Sequence, residues 1–197
     1  MINSKKELDF YLLQDAHANG RSSTKARLWG DEIWKYQRSL RKLEYYTNKG
    51  LLIPKIFWRF RFHHLSVRLG FQIPINVCRE GLSLPHYGSI IIGQHASIGK
   101  FCRIHEGVTI GATNGSDNCA TIGDNVFIAS GAKIIGDVFV ASDCAIAANA
   151  VVVKDITVPG TTWGAFLPPK LVITILIVIC SLYKKEETND LGGKNRW

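Results

Sequence analysis

The sequence predicts a mainly β fold, a parallel β-helix wound from six-residue units and preceded by an α-helical N-terminal region. Three observations carry this. From Ile92 to Val158 every sixth residue is Ile or Val, with a single omission at Ser116. The residue that follows is usually Gly or Ala. Residues 1–70 instead place apolar side chains three and four apart.

The helical region comes first. Ser4 and Glu7 have the spacing of a capping box ahead of Leu8, Tyr11 and Leu12, which predicts a helix start. Ile33, Tyr36, Leu40, Leu43 and Tyr46 predict a second helix from about Asp31 to Asn48, with Gly50 as its stop. A third follows Pro54 and runs to Gly70, with Arg59, Arg61 and Arg68 interleaved among Ile56, Phe57, Phe60 and Val67. Two roles fit this helix: packing on the rest of the protein with the arginines outward, or lying on a membrane surface.

The six-residue register reads Ile92, Ile98, Ile104, Ile110, then Ile122, Ile128, Ile134, Val140, Ile146, Val152 and Val158. Neither an α-helix nor an ordinary strand repeats in sixes. A triangular coil does, with three short flat strands and their corners making one turn of eighteen residues. The aliphatic residue of each unit points to the axis and stacks on its equivalents above and below. A strict count of eighteen would stack Ile92, Ile110, Ile128 and Ile146. Each turn cannot cover its own apolar face, so neighbours must, and the register supplies nearly four turns. The stretch 111–121 (GATNGSDNCAT) interrupts it, leaving the prism and returning, and such excursions are where binding residues tend to lie.

Composition narrows the function classes. The 197-residue chain carries a net charge of +8, and all of the excess lies in residues 1–81, which hold 15 Lys/Arg against 7 Asp/Glu. A basic region suits either an anionic partner or a solvated face. No reading motif for nucleic acid is present. The five cysteines, Cys78, Cys102, Cys119, Cys144 and Cys180, are scattered without a CxxC, which argues against a disulfide framework or a zinc cage. The N-terminus has no apolar signal segment. The one long apolar run, Leu171–Tyr183, is thirteen residues, short of the roughly 20 that span a bilayer. It is expected to dock on the prism, with an interfacial membrane contact as the alternative, and the polar tail after it is expected to be disordered. The expected location is cytoplasmic, with the inner face of the membrane left open. The domain reading is a helical region at 1–81, the β-helix at 82–170, and the apolar segment and tail at 171–197.

Three stretches resemble a known family: IPINVCREGLSLPHYGSIIIG, CRIHEGVTIGAT and IGDNVFIASGAKIIGDVFVASDCAIAANAVVVKDI. They are similar to hexapeptide-repeat acyltransferases, and within these to serine acetyltransferases and the O-acetyltransferases of bacterial surface polysaccharides. The resemblance implies that the β-helix is left-handed and assembles as a homotrimer, with acetyl-CoA lying in grooves between prisms and no metal. It also implies that His86 is the general base, taking the proton from an acceptor hydroxyl, a task suited to an imidazole with a pKa near 6.5. Small residues at Ala129, Gly131, Ala147 and Ala148 would let pantetheine lie close to the coil. Lys133, Lys154 and Lys170 are candidate phosphate contacts, and Asp117 in the loop is a candidate acceptor contact.

The chain also departs from that pattern. Asp117-Asn118-Cys119-Ala120 stands where serine acetyltransferases carry Asp-Arg-His-Pro, whose Arg and His hold the serine carboxylate. A neutral sugar hydroxyl is therefore the favoured acceptor, with L-serine as the alternative. Phe71 stands where the family has the Asp that orients the histidine, and Glu80 is the nearby carboxylate. His105 is the second candidate base. Without the resemblance, His86 between Pro85 and Gly88 reads as an ordinary turn residue. Two other functions remain: a non-catalytic scaffold, and a trimeric zinc carbonic anhydrase-like enzyme using His86, His95 and His105.

Overall fold

The computed structural model describes residues 1–113 and 116–164. The expectations for Leu171–Tyr183, the polar tail and Lys170 lie outside the described residues.

Three helices come first: α1 (Lys5–Ala18), α2 (Glu32–Asn48) and α3 (Leu52–Leu69). The capping box at α1 is complete, with the Ser4 hydroxyl accepting from Glu7 N–H and the Glu7 carboxylate accepting from Ser4 N–H. Two orphan donors of the first turn are thereby satisfied. Helix α3 begins at Leu52, two residues before Pro54, because proline is tolerated in a first turn whose N–H groups have no intrahelical partner. It ends at Gly70 in the left-handed conformation, φ 74°.

Among the described residues twelve strands of two or three residues follow: β1 (Phe71–Gln72), β2 (Ile90–Ile92), β3 (Ser97–Ile98), β4 (Arg103–Ile104), β5 (Thr109–Gly111), β6 (Thr121–Ile122), β7 (Phe127–Ile128), β8 (Lys133–Ile135), β9 (Phe139–Val140), β10 (Ala145–Ile146), β11 (Val151–Val152) and β12 (Thr162–Trp163). They form three all-parallel sheets, ordered β1-β2-β5-β8-β11, β3-β6-β9 and β4-β7-β10-β12. Successive strands from β2 to β11 visit the first, second and third sheets in rotation, so the chain winds as a three-faced coil. The sequence register starts at Ile92, but parallel pairing starts earlier. Phe71 pairs with Ile90, and bridges join Cys78 to Ile98 and Ser83 to Arg103.

The register residues from Ile92 to Val152 are all buried, none more than 2% exposed, and form the axis of one continuous core. Each buried aliphatic side chain contributes about 1.5–3 kcal/mol relative to exposure. Two expectations are corrected. Ile110 stacks on Ile134 and Ile104 on Ile128, so the column on the first face is Ile92, Ile110, Ile134 and Val152, without Ile128 or Ile146. The excursion between Ile110 and Ile122 replaces one six-residue unit with twelve residues while advancing the chain by a single face. The sequence period survives, but the turn grows from eighteen residues to twenty-four. Val158, the last register position, is 65% exposed. Its place is taken by Ile156, which is buried and bridges to Val140.

Tight corners make the flat faces possible. Phe101, Asn125 and Asp143 stack at one corner with φ of 53°, 55° and 61°. Gly107, Gly131 and Asn149 stack at another, with φ of 75°, 75° and 56°. A left-handed backbone suits Gly, Asn and Asp and strains a Phe.

Candidate active site

His86 is exposed and stands in the segment that leads into β2. That segment is clamped from behind by α1 and α2. Arg41, fully buried, pairs with Asp15 at 2.7 Å and Glu44 at 3.1 Å, and donates to the carbonyls of Cys78 and Arg79. Asp15 accepts from the N–H groups of Gly81 and Leu82, and Gln37 donates to Leu82 O at 2.7 Å. Asn19 donates to Leu82 O and accepts from Leu84 N–H. The chain two residues ahead of His86 is thus fixed by the helical region, which gives that region a role in the site.

Past His86 the chain enters the corner between the third and first sheets. Gly88 lies against Glu106 so closely that a Cβ at Gly88 would come within 2.9 Å of Glu106 Cβ. One turn along the coil, His105 and Glu106 follow β4. The rings of His86 and His105 meet edge to face with centroids 5.1 Å apart, and His105 meets Phe127 at 4.9 Å on its other side. His86, His105 and Glu106 each offer one nitrogen or oxygen atom within 4.8 Å of the others. Both candidate bases therefore share one site with a carboxylate. His95 is outside this cluster, so the three imidazoles of the zinc reading do not converge.

The electrostatics separate the groups. Burial lowers the His105 pKa below its usual 6.5, and the charges of Arg103 and His86 lower it further. Arg103 Nε donates to His105 Nε2 at 3.3 Å. The Ser130 hydroxyl, and then the two histidines, hold the Glu106 carboxyl below its usual range. Glu106 Oε2 is shielded from solvent and has no hydrogen-bond partner among the described residues. Glu106 is the one carboxylate that this cluster sets beside the two imidazoles.

The neighbouring turns supply the small-residue column. Ala129 and Gly131 follow β7, and Ala147 and Ala148 follow β10, at this same corner. Ala129 N–H donates to Ile146 O, Ala147 N–H to Trp163 O, and Gly131 N–H to Glu106 O. A Cβ at Gly131 would overlap Asn149 Oδ1. The Lys133 ammonium donates to Gly107 O and to Thr109 Oγ1. Lys154 and Asp117 are exposed, beside β11 and in the excursion respectively, away from the His86 corner. Asn118 donates to Asp137, and Cys119 is buried against Gly93, so neither faces an acceptor in the single chain.

A cavity of about 760 Å³ opens on the Arg103–His105 side, between the helical region and the coil. Arg21, Asp31, Gln37, Arg103, His105 and Phe127 are among its walls, and Pro85 and Tyr87 bring it to the rim beside His86.

Sequence reasoning placed His86 and named His105 second. It missed Glu106 and Arg103, although both lie in the CRIHEG stretch. The orienting candidate Glu80 is engaged elsewhere, 3.4 Å from Lys100, and Phe71 packs on Tyr36 in the core. The turn-to-turn stacking that puts Glu106 beside Gly88 depends on three-dimensional register, and no local pattern announces it.

No protein-family model matches the chain. Among curated proteins, serine acetyltransferase of Mycobacterium tuberculosis is 36% identical over 152 residues, covering 72% of this chain and 61% of that protein. Serine acetyltransferase of Synechococcus elongatus is 31% identical over 103 residues, 51% of this chain and 38% of that one. The chain thus spans less than two thirds of the length of these relatives. Among solved structures, Neisseria gonorrhoeae serine acetyltransferase in complex with serine aligns with a TM-score of 0.59 at 26% identity, over 84% of this chain and 70% of that one. Soybean serine acetyltransferase complexed with serine aligns with a TM-score of 0.65 at 22% identity, over 80% and 67%. A serine acetyltransferase in complex with CoA has a TM-score of 0.62 at 21% identity, over 80% and 67%, a likeness of fold.

Proposed function

We propose that this chain, similar in sequence and fold to serine acetyltransferases of the hexapeptide-repeat kind, is an acetyl-CoA-dependent O-acetyltransferase acting on a small hydroxyl acceptor. The observation that carries the reading is the convergence of His86, His105 and Glu106 at the corner that also bears Ala129, Gly131, Ala147 and Ala148. Acetyl-CoA supplies an acetyl group activated as a thioester. His86 accepts the proton of the acceptor hydroxyl as its oxygen bonds to the thioester carbonyl carbon. The C–S bond breaks, and the proton passes to the departing CoA sulfur. Glu106 stabilises the charged imidazole between these steps, and His105 packs edge to face on the His86 ring.

The pantetheine arm lies along the small-residue corner, where the close backbone admits it. The acceptor enters from the 760 Å³ cavity. The left-handed sense of the coil, the homotrimer, and a site completed in the groove between prisms, with Asp117 reaching the acceptor from there, belong to the same proposal. Its support is the likeness to the enzymes above.

For the acceptor, a sugar hydroxyl is the first reading, because Asn118 and Cys119 offer no cation to a carboxylate. L-serine is the second, favoured by the relatives and by Arg103, whose guanidinium beside His105 could hold a carboxylate. Release of free CoA thiol from acetyl-CoA, measured against L-serine and a set of nucleotide sugars, distinguishes them. Stimulation by sugars alone supports the first, and stimulation by serine that Arg103→Ala weakens supports the second. Failure to bind CoA and to respond to any acceptor would instead make the coil a scaffold.

A further inference from the structure

Helix α3 has two apolar faces, and the fold uses one. Leu65 and Leu69 are buried, and Phe62 stacks on Tyr36 of α2 with ring centroids 5.1 Å apart. On the other side Leu52, Ile53, Ile56, Phe57, Phe60 and Val67 are 66%, 84%, 52%, 60%, 77% and 71% exposed. At about 100° per residue these six fall within an arc of roughly 140°, on the side away from Leu65 and Leu69, and the exposed His63 and His64 fall within the same arc. Packing against the protein, one of the two roles open to this helix, therefore leaves its larger apolar face unexplained.

Charge borders that arc on both edges. By the same projection Arg61 and Arg68 lie along one side, Lys55 and Arg59 along the other, and the helix contains no Asp or Glu. The Arg61 edge continues onto α2. Arg61 faces Arg38 and Lys42, and the mutual repulsion adds to burial in lowering the pKa of both. Arg38 Nε is shielded and has no hydrogen-bond partner among the described residues, and Lys42 sits 4.2 Å above the Trp58 ring. None of these six cations makes an ion pair among the described residues.

We infer that the exposed face of α3 docks on an anionic lipid bilayer, with its apolar arc in the interface and its flanking cations on the headgroup phosphates. An apolar arc edged by Arg and Lys is the pattern of a helix that lies in a membrane plane. No described helix is long and apolar enough to cross a membrane, so the contact is peripheral. A second copy of this face would bring the same cations and no acid to meet them. A soluble phosphate or a nucleic acid would leave the six apolar side chains in water.

The test uses the full chain, pelleted with vesicles of phosphatidylcholine alone or mixed with phosphatidylglycerol. The expected result is binding to the mixed vesicles only, weakening as salt rises. Phe57→Ser with Phe60→Ser should cut partitioning about tenfold or more, and Arg61→Glu with Arg68→Glu should do the same. All four side chains are exposed, and an unchanged circular dichroism spectrum confirms the fold. Absence of vesicle binding overturns the inference. So does binding that the phenylalanine pair leaves intact, since another segment would then carry it. A wild-type oligomer that the same variants disperse would assign the face to a second copy.

Discussion

Replacing Arg41 with Met should destabilise the protein more than any exposed substitution and loosen the approach to His86. The Arg41 guanidinium makes five hydrogen bonds, to Asp15, Glu44, Cys78 O and Arg79 O, and is wholly shielded from water. Against the burial that disfavours its charge, Asp15 and Glu44 hold its pKa well above the usual value. Methionine keeps much of the volume and removes every donor. Two buried carboxylates lose their counter-ion and two carbonyls lose their partners, a loss of about 3–5 kcal/mol. Typical domains hold only about 5–15 kcal/mol in total. Burial already raises the Glu44 carboxyl above its ordinary pKa with Arg41 pulling it down, so removing Arg41 raises it further. A carboxyl whose folded pKa exceeds its unfolded one binds more protons when folded, and its support is lost as pH rises between those values. The deficit of Arg41→Met should therefore be smaller at pH 5 than at pH 7. Urea unfolding at both values measures it. The triple change Arg41→Met, Asp15→Asn and Glu44→Gln should recover part of the loss. A single-variant deficit below about 1 kcal/mol, or a triple variant worse than the single, would refute the reasoning.

Other outcomes follow from the same geometry. Gly131→Ala puts a side chain at φ 75° against Asn149 and should cost about 1–3 kcal/mol in thermal or urea unfolding, while the same change at exposed Gly20 lacks the overlap. Glu106→Gln should slow acetyl transfer by about tenfold to a thousandfold with little change in stability, read from kcat against the unfolding midpoint. Because burial lowers the folded pKa of His105, its neutral form supports the fold above about 6.5 and that support fades as pH falls below it. His105→Gln should flatten the stability profile between pH 7.5 and 5.5. The Arg21 guanidinium holds the Asp31 carboxyl at about 2, so that pair's contribution should persist at pH 5 and fade from about 3.8 toward 2, a fading that Asp31→Asn abolishes.

Much of the coil was legible because its period is chemical. An Ile or Val every sixth residue reports an axial position directly, and the capping box at Ser4 and the stop at Gly70 are local backbone chemistry. What was not legible depended on lengths and on stacking. The excursion's twelve residues preserve a period of six, so nothing in the sequence shows that Ile110 meets Ile134 in place of Ile128. The first pass of the coil, at Phe71, Cys78 and Ser83, lacks the six-residue spacing, yet it pairs with the next turn and the helices clamp it from behind. Val158 keeps the spacing but loses the axis, since Ile156 closes the second face sooner. At the candidate site, His86 is singled out by its resemblance to a motif. Glu106 was not found, because its place beside His86 arises from one turn of the coil lying on the next.

The most direct test of the account is His86→Ala, assayed for release of CoA thiol from acetyl-CoA with whichever acceptor stimulates the wild-type chain. If His86 is the general base at the corner it shares with His105 and Glu106, kcat falls by about a hundredfold to ten-thousandfold while CoA binding is retained. Full activity in His86→Ala contradicts that assignment.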